Sequence, residues 1–344
     1  MTDRIRVLVV DDSAFARRAV RTVLERTDDI EVVDIARDGL EAIEKIGALA
    51  PDVVTLDLMM PTMDGLAVLA ALPREGGPRV VAVSSSGADT EMGAAALAAG
   101  AIDLVEKPTT QASDRLYEMA EELVDRVRIA AKARARYVEA VPRVVERPAQ
   151  PRVSARIDAV VIGASTGGPQ ALTRLLPMLP TEPAVVVLVV LHMPAGYIEA
   201  LAARLDALCP AHVVEARDEM ALVPGMIALA PAGAHLGIAR ATAGLRVALD
   251  HTRTPGELHQ PSVDALFVSA AKLLGARALG VVLTGMGDDG LAGARALHDA
   301  GARVLTEAEE SCVVYGMPRA IAEAGLADEV CSLDAIASRI AARL

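Results

Sequence analysis

Two sets of residues in this 344-residue sequence are of the types, and at the spacings, that do chemistry. One joins a serine in GASTGG (163–168), a histidine in LHMP (191–194) and an acid pair in TGMGDDG (284–290). Ser165 becomes a nucleophile only beside a base that takes its proton. His192 can do that near neutral pH, and Asp288 or Asp289 can orient the imidazole. The chain order is Ser, His, Asp, whereas an α/β-hydrolase would run Ser, Asp, His. The other set is Asp11, Asp12, Asp57, Ser84 and Lys107. Neighbouring carboxylates repel unless a hard cation lies between them, and Mg2+ takes one or two carboxylates with other oxygen ligands. A carboxylate beside such an ion can accept a phosphoryl group, with Lys107 and the Ser84 hydroxyl holding the phosphoryl oxygens.

Plainer readings stand beside both sets. GASTG fits the pattern G-x-S-x-G, but three fixed positions carry little weight alone, and a glycine-rich turn opening a helix can equally cradle a phosphate. A nucleotide loop fits less well: the Lys-Ser/Thr ending of a Walker loop is missing, and Ser165 occupies the second glycine position of the dinucleotide fingerprint. His192 could be an ordinary strand-end residue. Asp288 and Asp289 could be helix N-caps, and Asp11 and Asp12 caps at a strand end. His235, His251 and His259 show no metal-binding spacing, although His259 is a candidate substrate contact.

Such groups must be held by rigid elements, and the pattern supplies them. From Arg6 to about Arg128, the runs IRVLVV, IEVVDIA, DVVTLDL, RVVAVSS and IDLVEKP read as five strands alternating with helical segments. Near-continuous apolar strands imply a parallel sheet covered on both faces. Asp11 and Asp12 end the first strand, Asp57 the third and Ser84 the fourth, while Lys107 follows the fifth. Residues 130–156 are basic and proline-containing, which predicts a linker between a domain over 1–129 and another over 157–344. In the second domain DAVVIGAS, AVVVLVVLH and ALGVVLTG read as buried strands, each followed by a helix-like segment, with short strands in MIALAPAGAHLGIA and LRVALD. A second doubly wound α/β domain is expected, and in such sheets chemistry sits at the carboxyl ends of the strands. Ser165, His192 and the acid pair all fall there.

Composition removes several function classes. A net charge of -12 opposes binding to nucleic acid or to an anionic membrane surface, and 2% aromatic residues without tryptophan leave few stacking platforms. The second domain carries more acids than bases and no helix-turn-helix signal. Three cysteines without a CxxC pair suit a reducing compartment, so a cytoplasmic location is expected. The start MTDRIRVLVVDDS reaches two acids after a short strand-like run, unlike a secretory leader. The most apolar stretch, AVVVLVVLHM, is far short of the ~20 residues of a membrane span, so no direct membrane insertion is expected.

The spacing of DD, LDLMMPTMDG, SS and EKP resembles the receiver domain of two-component response regulators, a flavodoxin-like five-stranded parallel sheet. The resemblance implies that a histidine kinase supplies a phosphoryl group to Asp57. It also implies that Asp11, Asp12, Asp57 and the Met59 carbonyl surround Mg2+, and that Lys107-Pro108 is a cis peptide. Leu104 stands where receivers usually carry an aromatic residue. Behind it GASTGGPQAL, HMP, ALAPAGAHL, HQPSVDALF, LTGMGDDG and SCVVYGMP occur in an order that resembles the chemotaxis protein-glutamate methylesterases of the CheB family. That resemblance implies Ser165 as nucleophile, His192 as base and Asp289 as orienting carboxylate, with Thr166 and Met286 lining the oxyanion region and no cofactor for the esterase step. It implies hydrolysis of glutamyl methyl esters on methyl-accepting chemoreceptors, deamidation of receptor glutamines, and a receiver that covers the esterase cleft until Asp57 is phosphorylated. Gln260 departs from the arginine common in the family's HRPSVD motif.

Overall fold

The structure, a computed structural model, describes residues 4–73, 76–84, 90–107, 113–133, 145–146, 156–180, 185–253 and 259–344. The chain forms two compact units, Met1–Arg136 and Tyr137–Leu344.

In the first unit strands and helices alternate strictly: β1 (Ile5–Val10), α1 (Ala14–Leu24), β2 (Ile30–Ala36), α2 (Gly39–Leu49), β3 (Val53–Asp57), α3 (Gly65–Ala71), β4 (Arg79–Ser84), α4 (Thr90–Ala99), β5 (Asp103–Glu106) and α5 (Ser113–Lys132). The sheet order is β2-β1-β3-β4-β5, with every pair parallel. All five expected strands are present. Every residue of β3 is buried, as a central parallel strand with helices on both faces requires. Ser13, Asp38 and Asp64 each cap a helix by accepting a backbone N–H, from Ala16, Glu41 and Ala67 respectively, so α1, α2 and α3 start close behind their strands. The register pairs Val10 with Leu56 and Asp57 with Val83, which brings the carboxyl ends of β1, β3 and β4 to one level. Leu104 is buried in β5. Pro108 lies outside the described residues, and with it the expected cis peptide at Lys107-Pro108.

The second unit begins with β6 (Val145–Glu146), a short strand inside the stretch expected to be linker. There follow β7 (Ala159–Ala164), α6 (Gly168–Leu175), β8 (Val186–Leu191), α7 (Tyr197–Asp206), β9 (His212–Glu215), β10 (Ala221–Leu222), β11 (Met226–Leu229), β12 (His235–Arg240) and β13 (Leu245–Asp250). The chain ends with α8 (Val263–Leu274), β14 (Ala278–Val282), α9 (Leu291–Asp299), β15 (Arg303–Glu307), α10 (Met317–Glu323), β16 (Glu329–Cys331) and α11 (Leu333–Ala341). Eight strands form one sheet in the order β6-β16-β15-β14-β7-β8-β11-β9, and only β6 runs antiparallel to its neighbour. The short strands expected from MIALAPAGAHLGIA and LRVALD divide between two sheets: MIAL is β11 of the large sheet, while β12 and β13 join β10 in a separate antiparallel sheet, β10-β13-β12. The central strands β14, β7 and β8 are buried along their whole length. Phe267 on α8 lies fully buried in a core that includes Val161, Leu188, Val282 and Leu297. Strand order reverses direction around β7, so Ser165 follows the strand from which the chain winds both ways, the place where open α/β sheets hold their ligands. No helix among the described residues is long and apolar enough to cross a membrane.

Candidate functional site

The first unit gathers its acids as its strand ends require. Ligand oxygens of Asp11, Asp12 and Asp57 lie within 4.8 Å of one another, and these are the only such group of potential metal ligands among the described residues. Lys107 Nζ stands 2.7 Å from Asp57 Oδ2 and 3.1 Å from Asp11 Oδ2. Asp57 and Ser84 are fully buried, whereas Asp12 is exposed. Burial raises the Asp57 carboxyl above the usual range and the Asp11 charge adds to it, outweighing Lys107 and the Met59 N–H that donates to Oδ1 at 3.1 Å. Burial alone would lower the Lys107 ammonium, but its contacts with Asp57 and Asp11 hold it above the usual value. Three carboxylates against one ammonium leave an excess of two negative charges, the charge and donor set that suit a hard divalent cation.

In the second unit β7 delivers Ser165 into a turn that Gly167 permits by adopting φ +79, and Pro169 occupies the first turn of α6 where its missing N–H does no harm. Ser165 is 5% exposed and Thr166 2%. The Ser165 amide donates to the Thr284 carbonyl at 3.0 Å, so this N–H is already committed and any oxyanion donors must lie elsewhere. Gly285 allows the close approach of the two turns, because a Cβ there would stand 2.9 Å from Ser165 Cβ. Met286 in the same turn is 48% exposed.

His192 follows β8, its side chain 6% exposed, and its Nε2 lies 2.8 Å from Asp289 Oδ2. Asp289 does not cap the helix of its own turn, since α9 starts behind Gly290 without a side-chain cap. It sits instead at the N-terminus of α8, accepting from the Val263 amide at 2.7 Å, the Asp264 amide at 3.0 Å and the Ser262 hydroxyl at 2.9 Å. Asp264 returns the favour to α9, accepting from the Gly293 amide at 2.6 Å. Burial works to raise the Asp289 carboxyl, but the His192 bond and charge, with the Val263 and Asp264 amides, hold it at about 2. An ionised Asp289 can only accept, so the proton between the two groups resides on Nε2, and in the neutral imidazole Nδ1 is the nitrogen with the free lone pair. Nδ1 is buried with no hydrogen-bond partner among the described residues. His259, a candidate substrate contact in the sequence, stacks on the His192 ring at a centroid distance of 4.1 Å and an angle of 14°. Asp288 is exposed.

Two features were not read from the sequence. Ser262 and Asp264 lie in the motif HQPSVDALF, but their hold on Asp289 and α9 is tertiary. Glu307, at the end of β15, is fully buried beneath the Ser165 turn, its Oε2 accepting the Thr284 amide at 2.9 Å. Burial pushes its carboxyl up to about 7. A raised carboxyl favours the folded state at low pH: between the unfolded value near 4.5 and about 7 the native state keeps a proton that the unfolded chain has lost. Stability should therefore fall by about 3 kcal/mol as pH rises through that window. Denaturant titrations of wild type and Glu307→Gln at several pH values test this. Whatever the constant offset between them, the difference should move in the variant's favour from pH about 4.5 to 7.5 by that amount, and an unchanged difference would exclude the shift.

A family model described as CheB methylesterase matches residues 160–340, and one described as response regulator receiver domain matches residues 7–121. The chain is 54% identical over 333 residues to "Protein-glutamate methylesterase/protein-glutamine glutaminase 5" of Myxococcus xanthus, covering 96% of this chain and 95% of that one. It is 41% identical over 342 residues to "Protein-glutamate methylesterase/protein-glutamine glutaminase" of Halalkalibacterium halodurans, covering 99% and 98%. Among solved structures, the methylesterase catalytic domain of Thermotoga maritima CheB is similar with a TM-score of 0.52 and 37% identity, covering 54% of this chain and 97% of that one.

Proposed function

We infer, for a chain that belongs to the CheB methylesterase family, that Ser165, His192 and Asp289 form the triad of a protein-glutamate methylesterase governed by its own receiver domain. The enzyme hydrolyses glutamyl methyl esters of chemoreceptors to glutamate and methanol, and deamidates glutamine by the same route. The observation that carries this reading is the Asp289 carboxylate, fixed by the first turn of α8 and bonded to His192 Nε2, in the sheet that ends at Ser165.

His192 Nδ1 takes the hydroxyl proton as Ser165 Oγ attacks the ester carbonyl. The resulting negative oxygen lies against the turns of Thr166 and Met286, the groups we assign to the oxyanion region. Collapse breaks the C–O bond, and methanol leaves with the proton from Nδ1. Water then gives its proton to Nδ1 and attacks the glutamyl-enzyme, the bond from the acyl carbon to Oγ breaks, and Oγ takes the proton back from Nδ1 as glutamate is released. For a glutamine substrate the leaving group is ammonia, which needs its proton more. His259, stacked on the imidazole, limits its rotation and keeps Nε2 on Asp289. In the serine proteases the carboxylate holds Nδ1 and Nε2 serves the nucleophile; here the nitrogens exchange places.

In the receiver, Asp57 accepts the phosphoryl group from a histidine kinase, and Lys107 and Ser84 hold its oxygens. Asp11, Asp12, Asp57 and the Met59 carbonyl would hold Mg2+, which neutralises charge on the transferring phosphoryl group. Phosphorylation releases restraint on the esterase. A resting population of about 10% in the active state would cap stimulation at about 10-fold. With Asp57→Asn, methanol release in the presence of a small-molecule phosphodonor should fall to the level seen without it. Stimulation persisting in that variant would remove Asp57 from the regulatory role.

A further inference from the structure

We propose that Glu307 is a positioning residue for ester hydrolysis, whose side-chain oxygen anchors Thr284 and through it the Ser165 turn. The inference rests on the assignment of Ser165 as nucleophile.

The main-chain ladder between β14 and β15 ends at Val282 and Thr306. Just beyond it the Thr284 amide turns to a side chain, donating to Glu307 Oε2 at 2.9 Å in a buried environment. Thr284 then spreads that anchor in three directions. Its carbonyl accepts the Ser165 amide at 3.0 Å. Its hydroxyl donates to the Thr166 carbonyl at 3.0 Å, and its Oγ1 accepts the Val314 amide at 2.9 Å. The next residue continues the brace, with the Gly285 amide donating to the Val314 carbonyl at 3.0 Å and its carbonyl accepting from the Gly316 and Met317 amides at 3.0 and 2.9 Å. Thr284, Ser165, Thr166 and Glu307 are all at most 5% exposed, so water cannot replace a lost acceptor at the Thr284 amide.

A buried carboxyl raised to about 7 is an expensive way to supply one acceptor, and an apolar residue would serve packing alone. What an apolar residue cannot do is fix Thr284. Without that bond the turn can shift, and displacements of a reacting group by about 1 Å reduce turnover by up to about 100-fold.

The role depends on reach, and substitution separates reach from charge. Glu307→Gln keeps an oxygen at the same distance and loses the charge. Glu307→Asp keeps the charge but withdraws the oxygen by one methylene. Glu307→Leu removes the acceptor. With the full-length chain, activated by phosphodonor and assayed by methanol release from methylated receptor membranes, Glu307→Leu and Glu307→Asp should lower kcat by roughly 10- to 100-fold with KM little changed, and Glu307→Gln should stay near wild type. Where Glu307→Leu fails to fold, by circular dichroism, the Asp and Gln variants decide the matter. Wild-type kcat in Glu307→Asp, or a loss in Glu307→Gln as large as in Glu307→Asp, would overturn the proposal. Ser165→Ala is assayed in parallel: turnover surviving in that variant would instead overturn the nucleophile assignment on which the inference rests.

Discussion

Ser165→Ala should abolish methanol release while leaving the protein folded and Asp57 phosphorylation intact. Removing the nucleophile from a serine-histidine-aspartate constellation lowers kcat by roughly 10^6-fold, which places the residual rate below detection in a receptor assay. The substitution deletes one hydroxyl and keeps Cβ, so the close packing against Gly285 is retained. The backbone of the turn is also held independently, by the Ser165 amide on Thr284 and the Gly168 amide on the Ser165 carbonyl at 2.7 Å. The change in unfolding free energy should accordingly stay within about 1 kcal/mol. Loss of activity with an unchanged unfolding transition and unchanged phosphoryl incorporation is the expected result. Retained turnover would dismiss Ser165 from the chemistry.

Asp289→Asn should lower kcat by about 10^4-fold, the loss that follows when an orienting carboxylate becomes an amide and the imidazole takes the wrong tautomer. The geometry adds a second effect. Asp289 accepts two backbone amides and the Ser262 hydroxyl besides His192, and an amide has one oxygen to offer. A buried donor left without a partner costs about 1–3 kcal/mol, so the unfolding transition should move down as well. Assays belong at a temperature where circular dichroism shows the variant folded. Asp288→Asn, at an exposed position of the same turn, should change neither quantity appreciably. Equal losses at Asp288 and Asp289 would contradict the assignment of Asp289.

The strands that carry the chemistry were legible because burial on both faces writes itself as uninterrupted apolar sequence: VVTLD in β3, AVVIGA in β7 and VVLVVL in β8 are buried throughout. Elements at the sheet's flank were not. Strand β16 has three residues, β9 begins with an exposed histidine, and β15 ends in the ionisable Glu307, so none presents an apolar run long enough to read. Candidate site residues were legible as polar groups at strand ends, a consequence of parallel topology. Which acid serves His192 was not, since Asp288 and Asp289 are adjacent and chemically alike. What separates them is the cradle of Ser262, Val263 and Asp264, more than twenty residues away in the chain, and only the packing of α8 beside α9 creates it. Glu307 was invisible for the same reason: an acid in RVLTE reads as a solvated strand end until the fold buries it under Thr284.

The central claim is a receiver-controlled serine methylesterase, and one measurement addresses it directly. Receptor membranes carrying radiolabelled methyl esters are incubated with the full-length chain, with and without a small-molecule phosphodonor and Mg2+, and volatile methanol is counted. Methanol release that rises with phosphodonor in the wild type, and is absent from Ser165→Ala under both conditions, is the result this account requires. No release by a wild-type chain whose Asp57 is demonstrably phosphorylated would contradict it.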